Sequence, residues 1–80
     1  MRVKIYITLK EGILDPQGKA VQHSLHTLGY PAVENVRIGK YIELNLDNTS
    51  RDVLDVQIKD MCNKLLANPI IEDYRYEIEN

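Results

Sequence analysis

The sequence predicts an α+β fold, because segments with two different hydrophobic periods follow one another along its 80 residues. Apolar and polar residues alternate over 2–10, 32–46 and 70–78, as in strands with one buried face. Over 16–28 and 49–67, apolar residues recur every three or four positions, as in helices with one apolar stripe. We therefore expect the order β-α-β(β)-α-β in a two-layer sandwich, an antiparallel sheet of three to four strands with both helices on one face.

The first strand is predicted from the N-terminal alternation, in which Val3, Ile5 and Ile7 face one side and Lys4 faces the other. The outward positions of the predicted sheet are half apolar and mixed in charge. They include Tyr6, Thr8, Tyr41, Asn45 and Arg75. We expect this face, or a strand edge, to pair with another copy of the chain.

The first helix is predicted over 16–28. Asp15 supplies an N-cap side chain, and Pro16 has the fixed φ that suits the first helical position. Gly29 can adopt the left-handed conformation that ends a helix, and Pro31 prevents the helix from resuming. The chain must turn back at this point.

Gly39 interrupts the second alternating segment, 32–46. Val36 and Ile38 precede it, and Ile42 and Leu44 follow it. The glycine marks either the turn of a two-residue hairpin or a bulge in one long bent strand. A hairpin or a sharp bend is favoured, but the sequence leaves both open.

The second helix is predicted over 49–67. Thr49 and Asp52 have the spacing of a capping box, with a shorter acid than usual. Asn68 and Pro69 stop the helix. Its apolar stripe comprises Val53, Leu54, Ile58, Met61, Cys62, Leu65 and Leu66. The final segment then alternates Tyr74, Tyr76 and Ile78 against Arg75, Glu77 and Glu79 and predicts the last strand.

Length, charge and cysteine content limit the class of protein. Residues 1–80 form one domain, since so short a chain cannot build two cores. Apolar burial in a domain of this size is nearly offset by ordering entropy, so a homo-oligomer (dimer or tetramer) is expected. The net charge of −2 does not indicate a surface that binds nucleic acid. No apolar run is long enough to span a membrane. One cysteine suits a reducing compartment, and we expect a cytoplasmic protein.

No catalytic or metal-binding constellation emerges from the sequence. Cys62 lies within the apolar stripe of a predicted helix, where a small buried hydrophobe is expected instead of a nucleophile. His23 and His26 lack a third metal ligand and are expected on the surface. The acidic pairs Glu72-Asp73 and Glu77-Glu79 are interpreted as a solvated strand face. We predict no catalytic, metal or cofactor site in this chain.

Several short motifs together resemble the PurS family over nearly the whole chain. The segments are Gly12, Leu14-Asp15-Pro16-Gln17-Gly18, Leu28-Gly29-Tyr30, Val36-Arg37-Ile38-Gly39-Lys40, Ile42-Glu43-Leu44 and Met61 to Tyr74, which contains Leu65-Leu66-Ala67-Asn68-Pro69. Members of this family are the small subunit of phosphoribosylformylglycinamidine synthase. The resemblance implies a role in the fourth step of purine synthesis, which converts formylglycinamide ribonucleotide, glutamine, ATP and water to formylglycinamidine ribonucleotide, glutamate, ADP and phosphate.

The resemblance also implies partners. In that family a glutaminase subunit (PurQ) releases ammonia, and a synthetase subunit (PurL), which uses ATP and Mg²⁺, consumes it. The small subunit is expected to join the two and to assist ammonia transfer, without catalysis of its own. Candidate partner contacts are Arg37, Gly39 and Lys40, the helix start with Asp15 and Gln17, and Asn68 at the end of the second helix.

Two other classes of function stay open. A free-standing regulatory α+β module would bind a small ligand such as an amino acid or nucleotide between copies, and its melting temperature would then depend on that ligand. A small independent enzyme would use Cys62 or the histidines, and Cys62→Ser would abolish its activity. No motif supports either alternative.

Overall fold

The computed structural model describes residues 1–47 and 50–79 and confirms the α+β class. Its elements are β1 (Arg2–Leu9), α1 (Pro16–Thr27), β2 (Gly39–Asn45), α2 (Arg51–Met61), which continues into a π-helical turn (Cys62–Leu66), and β3 (Glu72–Glu79). The three strands lie in the order β2-β1-β3, and both outer strands run antiparallel to β1. In the described ranges, no helix is both long enough and apolar enough to span a membrane.

The hydrophobic core lies between α2 and the inner face of the sheet. Alternate residues of β1 point toward this face, and residues four apart on α2 and its π-helical turn point toward it from the other side. The largest fully buried side chains are Val3, Ile5, Ile7, Leu54, Ile58 and Cys62. Each large aliphatic side chain in this set stabilises the fold by roughly 1.5–3 kcal/mol.

The position of α1 differs from the expectation that both helices cover one face of the sheet. Among the described residues, no α1 side chain belongs to the core or packs against it. The cause is the width of the sheet: three strands at ~4.8 Å spacing span no more than about 15 Å, whereas one helix with its side chains is ~10 Å wide. Since α2 already covers the inner face, α1 has no room there.

Instead, α1 packs against the segment 30–38 that follows it. The Gln22 side-chain amide donates to the carbonyl of Glu34 at 2.8 Å. The His26 Nε2 atom donates to the carbonyl of Val33 at 2.7 Å, so the proton lies on Nε2. The helix and this segment form one unit beside the sheet, and we call residues 13–38 the arm.

The second alternating segment forms one strand only. β2 begins at Gly39, so this glycine is neither a hairpin turn nor a bulge within a strand. The Ile38 N–H donates to the Asp15 carboxylate at 2.8 Å, which ties the chain to the arm just before the strand starts. A Cβ atom on Gly39 would lie 2.4 Å from the carbonyl oxygen of Ile7, so glycine permits the close approach of β1.

The predicted helix ends are confirmed at α1. Asp15 caps it, Pro16 is its first residue, and Gly29 has φ +102°. At α2 the proposed capping residue Thr49 lies outside the described residues. The structure shows Ser50 as the N-cap, with its hydroxyl accepting from the Val53 N–H at 3.4 Å.

Candidate functional site

One end of the sheet gathers most of the residues that the sequence singles out. β1 ends there, the chain enters and leaves the arm there, and β2 and β3 begin there. We call this region the junction. It comprises residues 9–19, 35–40 and 68–73.

Asp15 connects two parts of the arm through its two carboxylate oxygens. One accepts from the Gly18 N–H at 2.8 Å and caps α1, and the other accepts from the Ile38 N–H at 2.8 Å. These two hydrogen bonds hold the pKa of Asp15 below its ordinary value, and the bond from the Ile38 N–H has the larger effect. The carboxylate fixes the entry to α1 against the entry to β2.

Gly18 makes this connection possible. It is the buried residue of α1, and a Cβ atom there would lie 2.2 Å from the carbonyl oxygen of Val36 and 2.9 Å from Oδ2 of Asp15. The segment 30–38 therefore crosses the first turn of α1 in direct contact with its backbone. A glycine in the first turn of a predicted helix is the signal of this close approach, since glycine is otherwise unfavourable there.

Arg37 and Gln17 are exposed beside this crossing. Arg37 lines an open cleft of about 250 Å³ together with Asp15 and Lys19. Within the described part of the chain, the Arg37 guanidinium forms no ion pair. Its charge is therefore available to another molecule.

Lys40 and Asn68 meet at one carboxylate, that of Glu72. The Lys40 ammonium lies 3.5 Å from Oε2 of Glu72, and Oε1 of Glu72 accepts from the Asn68 N–H at 2.7 Å. Lys40 lies opposite Ile7, on the inner side of the sheet, whereas Gly39 lies opposite Thr8, on the outer side. The structure thus separates Lys40 from the Arg37 cleft. Lys40 and Glu72 are far apart in the sequence, so the sequence alone does not indicate their contact.

The outer face of the sheet carries an aromatic cluster, as the strand alternation predicts. The rings of Tyr6 and Tyr41 are 5.2 Å apart, and the Arg75 guanidinium lies 4.0 Å from the centre of the Tyr6 ring. Together with Thr8 and Gly39, these residues line an open groove of about 400 Å³. Tyrosine and arginine are the residue types that most often anchor protein interfaces.

Two groups with catalytic potential, Cys62 and His26, make structural contacts. Cys62 is fully buried in the core, and burial raises the pKa of its thiol. His26 is held by the carbonyl of Val33. In residues 1–47 and 50–79 no three His, Cys, Asp or Glu side chains are grouped as metal ligands would be. The junction and the outer face carry charged and aromatic side chains that can contact another molecule.

Comparisons with known proteins identify the family. A profile described as "PurS: Phosphoribosylformylglycinamidine (FGAM) synthase" matches residues 2–80. The phosphoribosylformylglycinamidine synthase subunit PurS of Bacillus subtilis is 62% identical over 78 residues, which are 98% of this chain and 92% of that protein.

Comparison with solved structures leads to the same family. A structure of B. subtilis PurS has a TM-score of 0.89 at 61% identity and covers 99% of this chain and 98% of its own. A structure of PurLQS from Thermotoga maritima matches with a TM-score of 0.81 at 25% identity, over 96% of both chains. The chain belongs to the PurS family and is a subunit of phosphoribosylformylglycinamidine synthase, a ligase.

Proposed function

We propose that this chain is the non-catalytic subunit that joins the glutaminase, PurQ, to the ATP-dependent synthetase, PurL, and assists the passage of ammonia between them. The observation that carries the proposal is the agreement in fold with a chain of the T. maritima PurLQS structure over 96% of both chains. In this role the chain acts as a homo-oligomer in the cytosol. ATP and Mg²⁺ are bound by the synthetase subunit and not by this chain.

The chemistry of ammonia explains why such a subunit is needed. Ammonia released into water at neutral pH is protonated and is then no longer a nucleophile. Two separate active sites can share it only when the subunits are docked so that bulk water is excluded. A small protein that fixes the docking geometry contributes to the reaction without touching the reacting atoms.

The side chains of this molecule suit docking better than catalysis. Its one thiol, Cys62, is shielded in the core, where a raised pKa makes it a poor nucleophile. Arg37 at the junction and the pair of Tyr6 and Tyr41 on the outer face are accessible instead. These are groups that recognise protein surfaces.

The experiment that tests the proposal measures formylglycinamidine ribonucleotide synthesis by purified PurL and PurQ, with and without this chain. Glutamine-driven turnover should require the chain, whereas turnover driven by ammonium salt should proceed largely without it. If the chain changes neither rate, the proposal fails, and a ligand-dependent melting shift of the isolated chain becomes the next measurement.

The junction makes a separate prediction about assembly. Arg37→Ala and Lys40→Ala should each weaken formation of the three-subunit complex while leaving the circular dichroism spectrum of the chain unchanged. Arg37 should matter more, since Lys40 is engaged with Glu72. Lys59→Ala, which removes an exposed cation from α2, is the matched control. Assembly that is equally strong with all three variants would remove the junction from the docking surface.

A further inference from the structure

The cleft beside Arg37 at the junction carries more cations than acids. Its volume is about 250 Å³, and its charged lining residues are Lys10, Lys19, Arg37, Glu11 and Asp15. The Lys10 ammonium lies 3.3 Å from Oδ1 of Asp73, so its charge is already paired. In residues 1–47 and 50–79, neither Lys19 nor Arg37 forms an ion pair. Both are exposed, so the cleft presents two unpaired cations to another molecule.

The two acids of the cleft do not neutralise these cations. Both carboxylate oxygens of Asp15 accept from backbone N–H groups, one from Gly18 and one from Ile38. Glu11 is exposed and, in the part of the chain that the structure describes, is in no ion pair. A carboxylate from another molecule therefore meets no competitor already bound to Lys19 or Arg37.

The backbone holds the two cations in a fixed relative position. Lys19 follows Gly18 in α1, and Arg37 precedes Ile38. Because the N–H groups of Gly18 and Ile38 bind the same Asp15 carboxylate, the main chain at Lys19 is tied to the main chain at Arg37. Less conformational freedom is lost when two groups that are already tied together bind one anion.

The size of the cleft limits what it can bind. Small-molecule sites usually measure ~300–1,000 Å³ and bury most of their ligand. An open cleft of about 250 Å³ lies below that range, so a nucleotide would remain largely in solvent. The carboxylate at the end of one side chain needs much less room. Ile13 and Leu14 line the same cleft and are 40% and 72% exposed, so they can exclude water around such a group.

We infer that Lys19 and Arg37 together bind one acidic side chain, an Asp or a Glu, of another subunit of the synthase. The planar guanidinium of Arg37 can donate to both carboxylate oxygens, and the Lys19 ammonium adds a second positive charge. The inference deepens the proposed function and rests on it for the existence of a protein partner. The cleft itself is argued from this chain alone.

A second copy of this chain is a poorer source of the acid, because many of its own acids are engaged. Among the described residues, ion pairs occupy Asp60, Glu72, Asp73, Glu77 and Glu79. Tyrosine hydroxyls donate to Glu43 and Asp55. An acid of a different subunit can reach Lys19 and Arg37 without breaking any of these contacts.

Carbodiimide cross-linking of the assembled complex with PurL and PurQ provides the first test. The reagent joins a lysine amine to a carboxylate in contact with it, so mass spectrometry should find Lys19 joined to an Asp or Glu of PurL or PurQ. Lys19→Arg keeps the charge but removes the amine, so this cross-link should disappear while the complex still forms. Cross-links from Lys19 only to this chain or to a second copy overturn the inference. So does equal cross-linking of Lys59, an exposed lysine of α2.

The affinity of the chain for PurL and PurQ provides the second test. Lys19→Gln with Arg37→Gln should raise the dissociation constant by about tenfold or more at low salt and reduce its dependence on salt, because salt screens exposed charges. Arg37→Lys should give a smaller loss, since an ammonium does not bind both oxygens in one plane. Lys59→Gln is the matched control and should change neither quantity. An unchanged dissociation constant in the double variant refutes the shared carboxylate.

Inorganic phosphate distinguishes a free anion from the side chain of a partner. In NMR titrations of the isolated chain, the amide resonances of Lys19 and Arg37 should shift only at millimolar phosphate. Saturation at micromolar phosphate would show a site for a free anion and overturn the inference. Glutamine-driven turnover is a separate readout. If the wild-type chain supports turnover and the double variant binds normally, only this inference fails, whereas a wild-type chain without effect on turnover contradicts the proposed function.

Discussion

Replacing Gly18 with alanine should loosen the arm, although alanine is the better helix former. The added Cβ atom would lie 2.2 Å from the carbonyl oxygen of Val36, and carbon and carbonyl oxygen pack no closer than roughly 3.3 Å. The segment 30–38 must therefore move by about 1 Å. Because the obstructing atom belongs to the backbone, no rotation of a side chain relieves the clash.

The magnitude follows from two opposing effects. Forcing an extra carbon into a packed site costs about 1–3 kcal/mol, and a contact this short lies at the upper end. Alanine recovers about 1 kcal/mol through its helix propensity. We therefore expect the free energy of separating α1 from the segment 30–38 to fall by about 2 kcal/mol. Since no arm helix residue is in the core, the loss should appear as local opening and not as global unfolding.

Amide hydrogen exchange measures this local opening directly. Exchange of the α1 amides should accelerate by about thirtyfold in Gly18→Ala, since ~1.4 kcal/mol corresponds to a factor of ten, while the β1 amides should be unaffected. Ala20→Gly, at an exposed position of the same helix, should accelerate exchange by only about fivefold through lost helix propensity. Slower exchange of α1 in Gly18→Ala would refute the close-crossing argument.

Two further predictions concern single groups. The pKa of Asp15 is lowered from its ordinary value of 3.8 by the hydrogen bonds from Ile38 and Gly18, so its stabilising effect should be present above that value and disappear as the pH falls through the lowered pKa. The amide resonances of both donors should titrate with a midpoint below 3.8 in NMR spectra, and a midpoint at or above 3.8 would contradict the two-bond assignment. Cys62→Ser should lower the free energy of unfolding, measured in urea, by about 1–3 kcal/mol, because a hydroxyl then lies in an apolar core. The native Cys62 thiol should react with a disulfide reagent only after unfolding. Rapid labelling of the folded chain would show that Cys62 is accessible.

Local features of this fold are predictable from the sequence because their partners are neighbours. Asp15, Pro16 and Gly29 mark the ends of α1 through short-range geometry, and the alternation of β1 places Ile5 and Ile7 in the core. The burial of Cys62 follows from its place on the apolar stripe that continues from α2 into the π-helical turn. Each of these signals depends on a few consecutive residues.

The side-chain contacts within the junction are harder to predict from the sequence. Asp15 is recognisable as a helix cap, but its second hydrogen bond goes to Ile38, 23 residues away. Glu72 looks like part of a solvated acidic pair, yet it bonds the Asn68 backbone and lies beside Lys40. In both cases one carboxylate serves two segments, and only the fold shows which segments approach it.

The placement of α1 depends on a choice that the sequence leaves open, the structure at Gly39. A hairpin there would give a fourth strand, and a sheet of about 19 Å would then be wide enough for two helices side by side. With three strands, α2 alone fills the inner face, and α1 packs on the segment 30–38 instead. The apolar stripe of an amphipathic helix predicts that one face is buried, but it does not predict which segment buries it. The hydrogen bond from the Ile38 N–H to Asp15 ties the end of the segment 30–38 to the start of α1, so the chain stays in the arm until β2 begins.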